Sequence, residues 1–377
     1  MLESLKTPIL DGERALAGAA IHIVRGCDAI LELHSMLVEL SERCDQSGAM
    51  DDLKYFLSRP KFANKIPALL LFCSTYPPRN SSEIEAVILL YEYQVAGIGG
   101  HVFVADYHGG DRTVIAPPRF RAQVAYRGSA ALLSKGALAV QLTYQTDIDR
   151  PEEFTVPSAG DNSGWRWASS VRRMHGYVPL EDSYDATLAS FGKHTRRNLR
   201  AARRHAQKAV GYTFVVDPVL TKEEFLSFNR ISAYPVPDEL AAWRHKAMDY
   251  ISDRLFLGIR GANGEWLSII GGRRPRNGTF VEWQMNRADM GPLSLGTLMR
   301  SHLIEHEVER GSKRLYLVGG TSHSMKYAFG SEHFVDFAAA RGVLPAFLLR
   351  HLARPLMSEN TFLVQAFADP KLNWQSW

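Results

Sequence analysis

Four stretches of this 377-residue chain place polar or titratable residues at spacings that could do chemistry. Residues 191–208, FGKHTRRNLRAARRHAQK, are its most basic run. On a helix over residues 193–209, Leu199, Ala202, Ala206 and Ala209 form one apolar stripe, while Arg196, Arg200, Arg203 and Arg204 lie away from it. That cationic face is either solvated or an anion site for a ligand's phosphates or carboxylate. A nucleic-acid reader would need further basic stripes or stacking aromatics, and here acidic EDSYD precedes the run, so no nucleic acid is expected. In VEWQMNRA, residues 281–288, alternation puts Glu282, Gln284 and Asn286 on one strand face and Trp283 and Met285 on the other. Such a polar face is a cleft wall or a hydrogen-bonded, solvated one.

GPLSLGT, residues 291–297, reads as a turn entering a helix, whose first N–H groups and dipole can hold an anion or simply begin the helix. HLIEH, residues 302–306, matches the inverted zinc pattern His-x-x-Glu-His. The same helix face carries Leu295, Leu298 and Met299, so His302 and His306 are expected to pack toward a sheet, and no metal is expected. His323 between Ser322 and Ser324 has no nucleophile elbow around it, and GIGG at residues 97–100 reads as a turn.

The elements that would position these residues alternate between strand and helix. IPALLLFCS, EIEAVILLYEYQV and the segments around HGGD read as strands. PPRFRAQVAYRGSAALLSKG reads as a helix, with Phe120, Val124, Ala131 and Leu132 on one face and Gly136 as its stop, and ALAVQLTYQT returns as a strand. A helical connection favours parallel pairing at its end. The second half repeats the order: GYTFVVDP, two helices, a hairpin across Ala-Asn-Gly, NGTFVEWQMNRA, a helix over GPLSLGTLMRSHLIEHEVERG, RLYLVGG, and a short helix begun by SHSMKYAFG. Related element order in two halves is what an internal duplication leaves.

Composition is that of an ordinary folded chain, 46% hydrophobic and 22% charged, and its length suits two domains. A net charge of +4 is too small for a whole-molecule field that seeks DNA or anionic lipid. No apolar run nears the ~20 residues a membrane helix needs, and VLPAFLLRHLARPLM reads as a covering helix. The N-terminus lacks the charge pattern of a secretory signal, and Cys27, Cys44 and Cys73 have no metal or disulfide spacing, so a cytoplasmic location is expected.

Two stretches taken together resemble the BioF2-like (CelD-type) acyltransferase domain of the GNAT superfamily, a relative of the Fem ligases. SYDATLASFGKHTRRNLRAARRHAQK is similar to its opening. GPLSLGTLMRSHLIEHEVERGSKRLYLVGGTSHSMKYAFG, with Lys326, Phe329 and Gly330 at its end, is similar to its closing segment. The resemblance covers about residues 176–340, and more weakly the first half. It implies an α/β chain of two GNAT-like domains, each a mixed central sheet flanked by helices. A degenerate domain would span residues 1–150, a linker 151–175 and the acyltransferase domain 176–377.

The implied reaction moves an acyl group from acetyl-CoA or acyl-CoA, or from an acyl carrier protein, to a small-molecule amine. Gln284, Met285, Leu293, Ser294, Leu295, Gly296 and Thr297 would bind the donor, although the usual Gln/Arg-x-x-Gly-x-Gly/Ala loop is reduced here to one well-placed glycine after Gly291. The resemblance makes Glu282 the general base and Tyr327 the acid that protonates the leaving thiolate. Lys326 would instead stabilise charge near the transferred carbonyl; adjacent on a helix, Lys326 and Tyr327 point apart, so one of them is expected to act. Arg196, Arg200 and Asn286 complete the expected site as substrate-binding groups. The first half has prolines and arginines in APPRFRAQ where a phosphate loop would stand, so a structural or acceptor-binding role is expected there. Two alternatives remain: Fem-type transfer from aminoacyl-tRNA, against which the absence of a long helical hairpin counts, and a non-catalytic binding protein with a decayed cleft.

Overall fold

Strand and helix patterning is realised in a computed structural model that describes residues 16, 18–58, 65–95, 98–105, 113–146, 165–275, 278–317, 330–341 and 375–376. The chain begins with β1 (Ala20–Arg25), three short helices α1 (Cys27–Leu31), α2 (His34–Arg43) and α3 (Leu53–Leu57), then β2 (Lys65–Cys73), β3 (Ile84–Val95), β4 (Ile98–Val104) and β5 (Val114–Ile115). Next come α4 (Arg121–Ser134), β6 (Ala139–Thr146), β7 (Trp165–Pro179), α5 (Tyr184–Ser190), α6 (Lys193–Ala209) and β8 (Tyr212–Val216). After α7 (Lys222–Arg230) and α8 (Asp238–Ala247) the series continues with β9 (Arg254–Gly261), β10 (Trp266–Arg273) and β11 (Thr279–Asn286). It then runs through α9 (Leu295–Glu309), β12 (Arg314–Leu317) and β13 (Gly330–Arg341). Among the described residues no helix is long and apolar enough to cross a membrane.

These elements form two compact units, each a mixed sheet flanked by helices, the architecture the resemblance implied. The first unit comprises Met1–Leu57, Lys61–Met174 and Glu332–Trp377. Its strand order is β1-β2-β3-β4-β6-β13. β1 to β4 pair antiparallel, β4 and β6 pair parallel across the α4 connection, and β13 lies antiparallel to β6. β2 and β3 are buried over long apolar runs because the sheet is covered on both faces there. Its core gathers Leu70, Phe72, Ile88, Val124, Leu132 and Phe337, each worth about 1.5–3 kcal/mol when fully buried.

The second unit comprises Ser58–Pro60 and His175–Ser331. Its strands run β8-β9-β10-β11-β12, with the last residues of β7 beyond β12. Antiparallel pairing from β8 to β11 gives way to parallel pairing of β11 with β12 across the α9 connection. Helix starts are written locally: Ser183 Oγ accepts from the Ala186 N–H, and Thr221 and Glu224 close a capping box on α7. Leu199 of α6 and Leu298 and Leu303 of α9 pack with Leu257, Ile270, Val281 and Leu315 on one sheet face. On the other, Phe225 of α7 meets Trp283 edge-on at 5.4 Å.

Three expectations change. The linker drawn over 151–175 ends in strand β7 from Trp165 onward, while residues 147–164 lie outside the described residues. The boundary that gave everything after 176 to one domain is corrected by β13, which pairs with β6 from His333↔Thr146 to Ala340↔Ala139 and buries Val335, Phe337 and Ala339 in the first unit's core. The GIGG segment enters strand β4 at Ile98 instead of forming only a turn.

Candidate functional site

The polar strand face is rearranged by a β-bulge. On β10, Gly271 pairs with Trp283 but Gly272 pairs with Val281, so Glu282 has no opposite partner in this ladder. Only glycine fits at 272, where a Cβ would stand 1.9 Å from the Phe280 carbonyl oxygen. Thr279 and Val281 face α9, the first through a hydrogen bond to Glu307 and the second through its place in the core. The bulge turns Glu282 the other way, where its Oε1 accepts from Arg273 Nε at 3.0 Å. Arg273 is fully buried, with its guanidinium 4.2 Å from the Phe280 ring centroid. Alternation resumes after the bulge: Gln284 and Asn286 point toward α9, and Met285, 1% exposed, points away. The expectation that Glu282 shares a face with Gln284 and Asn286 is therefore corrected, because an extra residue in one strand inverts the side on which its neighbours emerge. Met285 offers a donor only its backbone.

Ser268 Oγ and Gln284 Nε2 both donate to Asn286 Oδ1, at 2.7 and 3.0 Å, which leaves the Asn286 Nδ2 amide directed toward the first turn of α9. That turn follows a short 3₁₀ stretch, Ala288–Leu293, and Ser294 in the left-handed region at φ 50°. Ser294 caps no amide with its side chain, and by position the N–H groups of Leu295 and Gly296 have no intrahelical acceptor. Leu293 and Leu295 are buried in the core, whereas Ser294 is exposed and Gly296 and Thr297 half-buried. A Cβ on Gly296 would lie 3.8 Å from Asn286 Nδ2, an ordinary contact, so the glycine serves to keep this surface low rather than to avoid a clash.

Facing the helix start is α6. A groove of about 420 Å³ runs between them, lined by Asn198, Ala201, Ala202 and His205 on one wall and Leu293, Ser294 and Thr297 on the other. The sequence reading missed Asn198, Ala201 and His205; their spacing of three and seven residues was the available signal, but which side of α6 meets α9 is a tertiary outcome. Arg196 and Arg200, the expected substrate-binding pair, lie roughly half a helical turn from this wall, and Arg200 is engaged with Asp185 at 3.0 Å. The apolar stripe of Leu199, Ala202 and Ala206 is buried as expected, whereas Ala209 is exposed. Arg203 is not a solvated cation: it donates to the Ser301 hydroxyl and carbonyl and pairs with Glu305 at 2.7 Å, bolting α6 to α9. By helical position Arg197, Arg204 and Lys208, all exposed, lie next to Ala201 on α6, and they form no ion pair among the described residues.

The HLIEH residues are absorbed in packing. His302 stacks on Phe214 of β8 at 4.8 Å and shares a hydrogen bond with Tyr212 Oη at 2.9 Å. Burial, reinforced by the Arg203 charge, lowers its pKa from 6.5 to about 4. His306 meets Phe214 edge-on, and burial lowers its pKa too. At the far end of α9, buried Glu307 accepts from Arg274, Thr279 and Ser312; burial alone would raise its pKa, and these partners hold it below the usual range. Lys326, Tyr327 and Phe329, like the SHS segment and the helix expected over 343–357, lie outside the described residues.

No family model matches the chain, and no curated protein matches it. Solved structures resemble its course. A tandem GNAT protein from the clavulanic acid biosynthesis pathway aligns over 85% of this chain and 98% of its own, at 11% identity and a TM-score of 0.45. L-PGS from Bacillus licheniformis aligns over 86% and 97%, at 15% identity and 0.47. FemX aligns over 73% and 87%, at 11% identity and 0.45. Likeness at this level assigns neither a substrate nor a residue role.

Proposed function

We propose that the second unit transfers an acyl group from the thioester of an acyl-coenzyme A to the nitrogen of a small-molecule amine, as GNAT-type acyltransferases do. One observation carries the reading: the groove between α6, whose exposed Arg197, Arg204 and Lys208 have no ion-pair partner among the described residues, and the first turn of α9, whose N-cap Ser294 makes no side-chain cap. In this reading the donor's diphosphate lies against the Leu295 and Gly296 amides beside Ser294 and Thr297. Arg197, Arg204 and Lys208 match its remaining charge, in place of Arg196 and Arg200, and the Gln284 and Asn286 amides hold the pantetheine arm. An acyl carrier protein would present the same arm, so affinity for free coenzyme A separates the two donors.

The amine nitrogen attacks the thioester carbonyl carbon; the C–N bond forms as the C–S bond breaks, the nitrogen loses a proton and the thiolate gains one. Glu282, turned by the bulge to the sheet face opposite Gln284 and Asn286 and held there by Arg273, is the proposed base for an amine that approaches from that face. Tyr327 is the proposed acid, with Lys326 the alternative partner for charge on the carbonyl oxygen.

Titration calorimetry with coenzyme A tests the donor site. Ala201→Trp fills the groove from a half-buried position outside the core, and is expected to weaken binding about tenfold or more with an unchanged melting curve. Failure of coenzyme A and its thioesters to bind at about millimolar concentration would replace this reading with the non-catalytic one.

A further inference from the structure

The first unit holds a cavity that the acyl-transfer reading does not use. It measures about 360 Å³, at the small end of the ~300–1,000 Å³ of ligand pockets. Its floor and sides are apolar: Ile23 of β1, Ile66 of β2, Phe103 of β4 and Leu132 of α4. Its polar groups are few and arranged by charge. Glu92 of β3, a buried carboxylate, is matched by Arg25, whose Nε donates to Oε2 at 2.6 Å. That pair is neutral in sum. Lys135, exposed at the end of α4, spends one hydrogen on the Ile21 carbonyl at 3.2 Å and leaves the cavity one positive charge in excess.

His101 completes the wall through backbone geometry. In the β3–β4 ladder Tyr93 pairs with Val102 but Gln94 pairs with Gly99, so Gly100 and His101 are extra residues on β4. His101 takes φ 51°, a conformation a non-glycine residue adopts only at a cost. His101, exposed, is one of the residues that line the cavity. A bulge that re-aims one polar side chain into an apolar cavity is a recurring device of binding sites.

We infer that this cavity binds a small monocarboxylic acid with an apolar body, its carboxylate at Lys135 and His101 and its hydrocarbon part against Ile23, Ile66, Phe103 and Leu132. A single excess positive charge matches one negative charge; a phosphate dianion would overshoot it beside Glu92, and an amine would meet Lys135 and Arg25 as like charges. An apolar lining requires an apolar body.

Calorimetry on the full chain with sodium octanoate is the test, with octylamine and inorganic phosphate as charge controls. Octanoate is expected to bind saturably with a Kd of about 10⁻⁴ M, and the two controls not to bind here. Lys135→Gln is expected to weaken octanoate about fivefold. His101→Gly suits the backbone at φ 51°, so it should melt no lower than the parent while losing affinity. Ala201→Trp, which blocks the groove of the second unit, should leave octanoate binding unchanged. The inference falls if octanoate does not saturate by about 10 mM, if octylamine binds as well, if neither Lys135→Gln nor His101→Gly weakens it, or if Ala201→Trp abolishes it.

Discussion

The two units carry the same order of strands around the same helical connection, yet they finish the start of that helix in opposite ways. In the first, α4 follows two prolines and a short 3₁₀ turn, and Arg121 folds its guanidinium back onto the Ala116 and Gln145 carbonyls at 3.2 and 3.3 Å. Arg121 is 4% exposed, so the helix start is stoppered by its own first residue. In the second, α9 follows Gly291, Pro292, Leu293 and Ser294, and the N-cap Ser294 makes no side-chain hydrogen bond to its first turn. One fold thus builds a filled end and an open end from a difference of a few residues. An element order repeated twice does not mean a function repeated twice.

The bulges differ too. In the second unit the unpaired residue is Glu282, pinned by a buried arginine; in the first the extra residues are Gly100 and His101, and His101 is set beside a cavity at φ 51°. Glu282→Ala removes one partner of a buried ion pair with Arg273 and should cost roughly 3–5 kcal/mol by denaturant unfolding. Glu282→Gln keeps an acceptor for Arg273, should fold, and should slow thiol release; an unchanged rate would remove Glu282 from the chemistry and leave it a structural anchor.

Arg121→Ala should cost about 1–3 kcal/mol, because the Ala116 and Gln145 carbonyls lose their donor. It should not create a coenzyme A site, since prolines still precede the helix; appearance of one would show that the arginine alone separates the two ends. The smallest effect is read by its sign. Folded His302 has a pKa of about 4 against 6.5 for the free side chain, so between these values the unfolded chain binds more protons. Stability contributed by the neutral ring is therefore complete above about pH 6.5 and is lost as pH falls toward 4. His302→Gln should flatten that slope in pH-dependent melting, and an unaltered slope would show that other groups govern it.

Much of this was legible in the residues. The helical stripe of Leu199, Ala202 and Ala206, the strand–helix–strand order of each half and the packing of His302 and His306 follow from local periodicity, which side-chain geometry enforces within a few residues. The groove was half legible: the helix start at Ser294 to Thr297 announces itself, whereas Asn198, Ala201 and His205 look no different in sequence from the arginines around them. Arg203, on a face read as either solvated or anion-binding, is instead a bolt because Ser301 and Glu305, about a hundred residues on, stand opposite it.

By itself, then, the sequence determined where backbone turns from strand to helix and which faces are apolar, since these depend on torsional preference and on the spacing of side chains along one element. Only tertiary structure decided that β13 returns to complete the first unit's sheet, that a register slip opposite Gly272 swings Glu282 away from Gln284 and Asn286, and which side of α6 looks into the groove. Each of those is a pairing between segments far apart in the chain, and its energy comes from partners that no local pattern names.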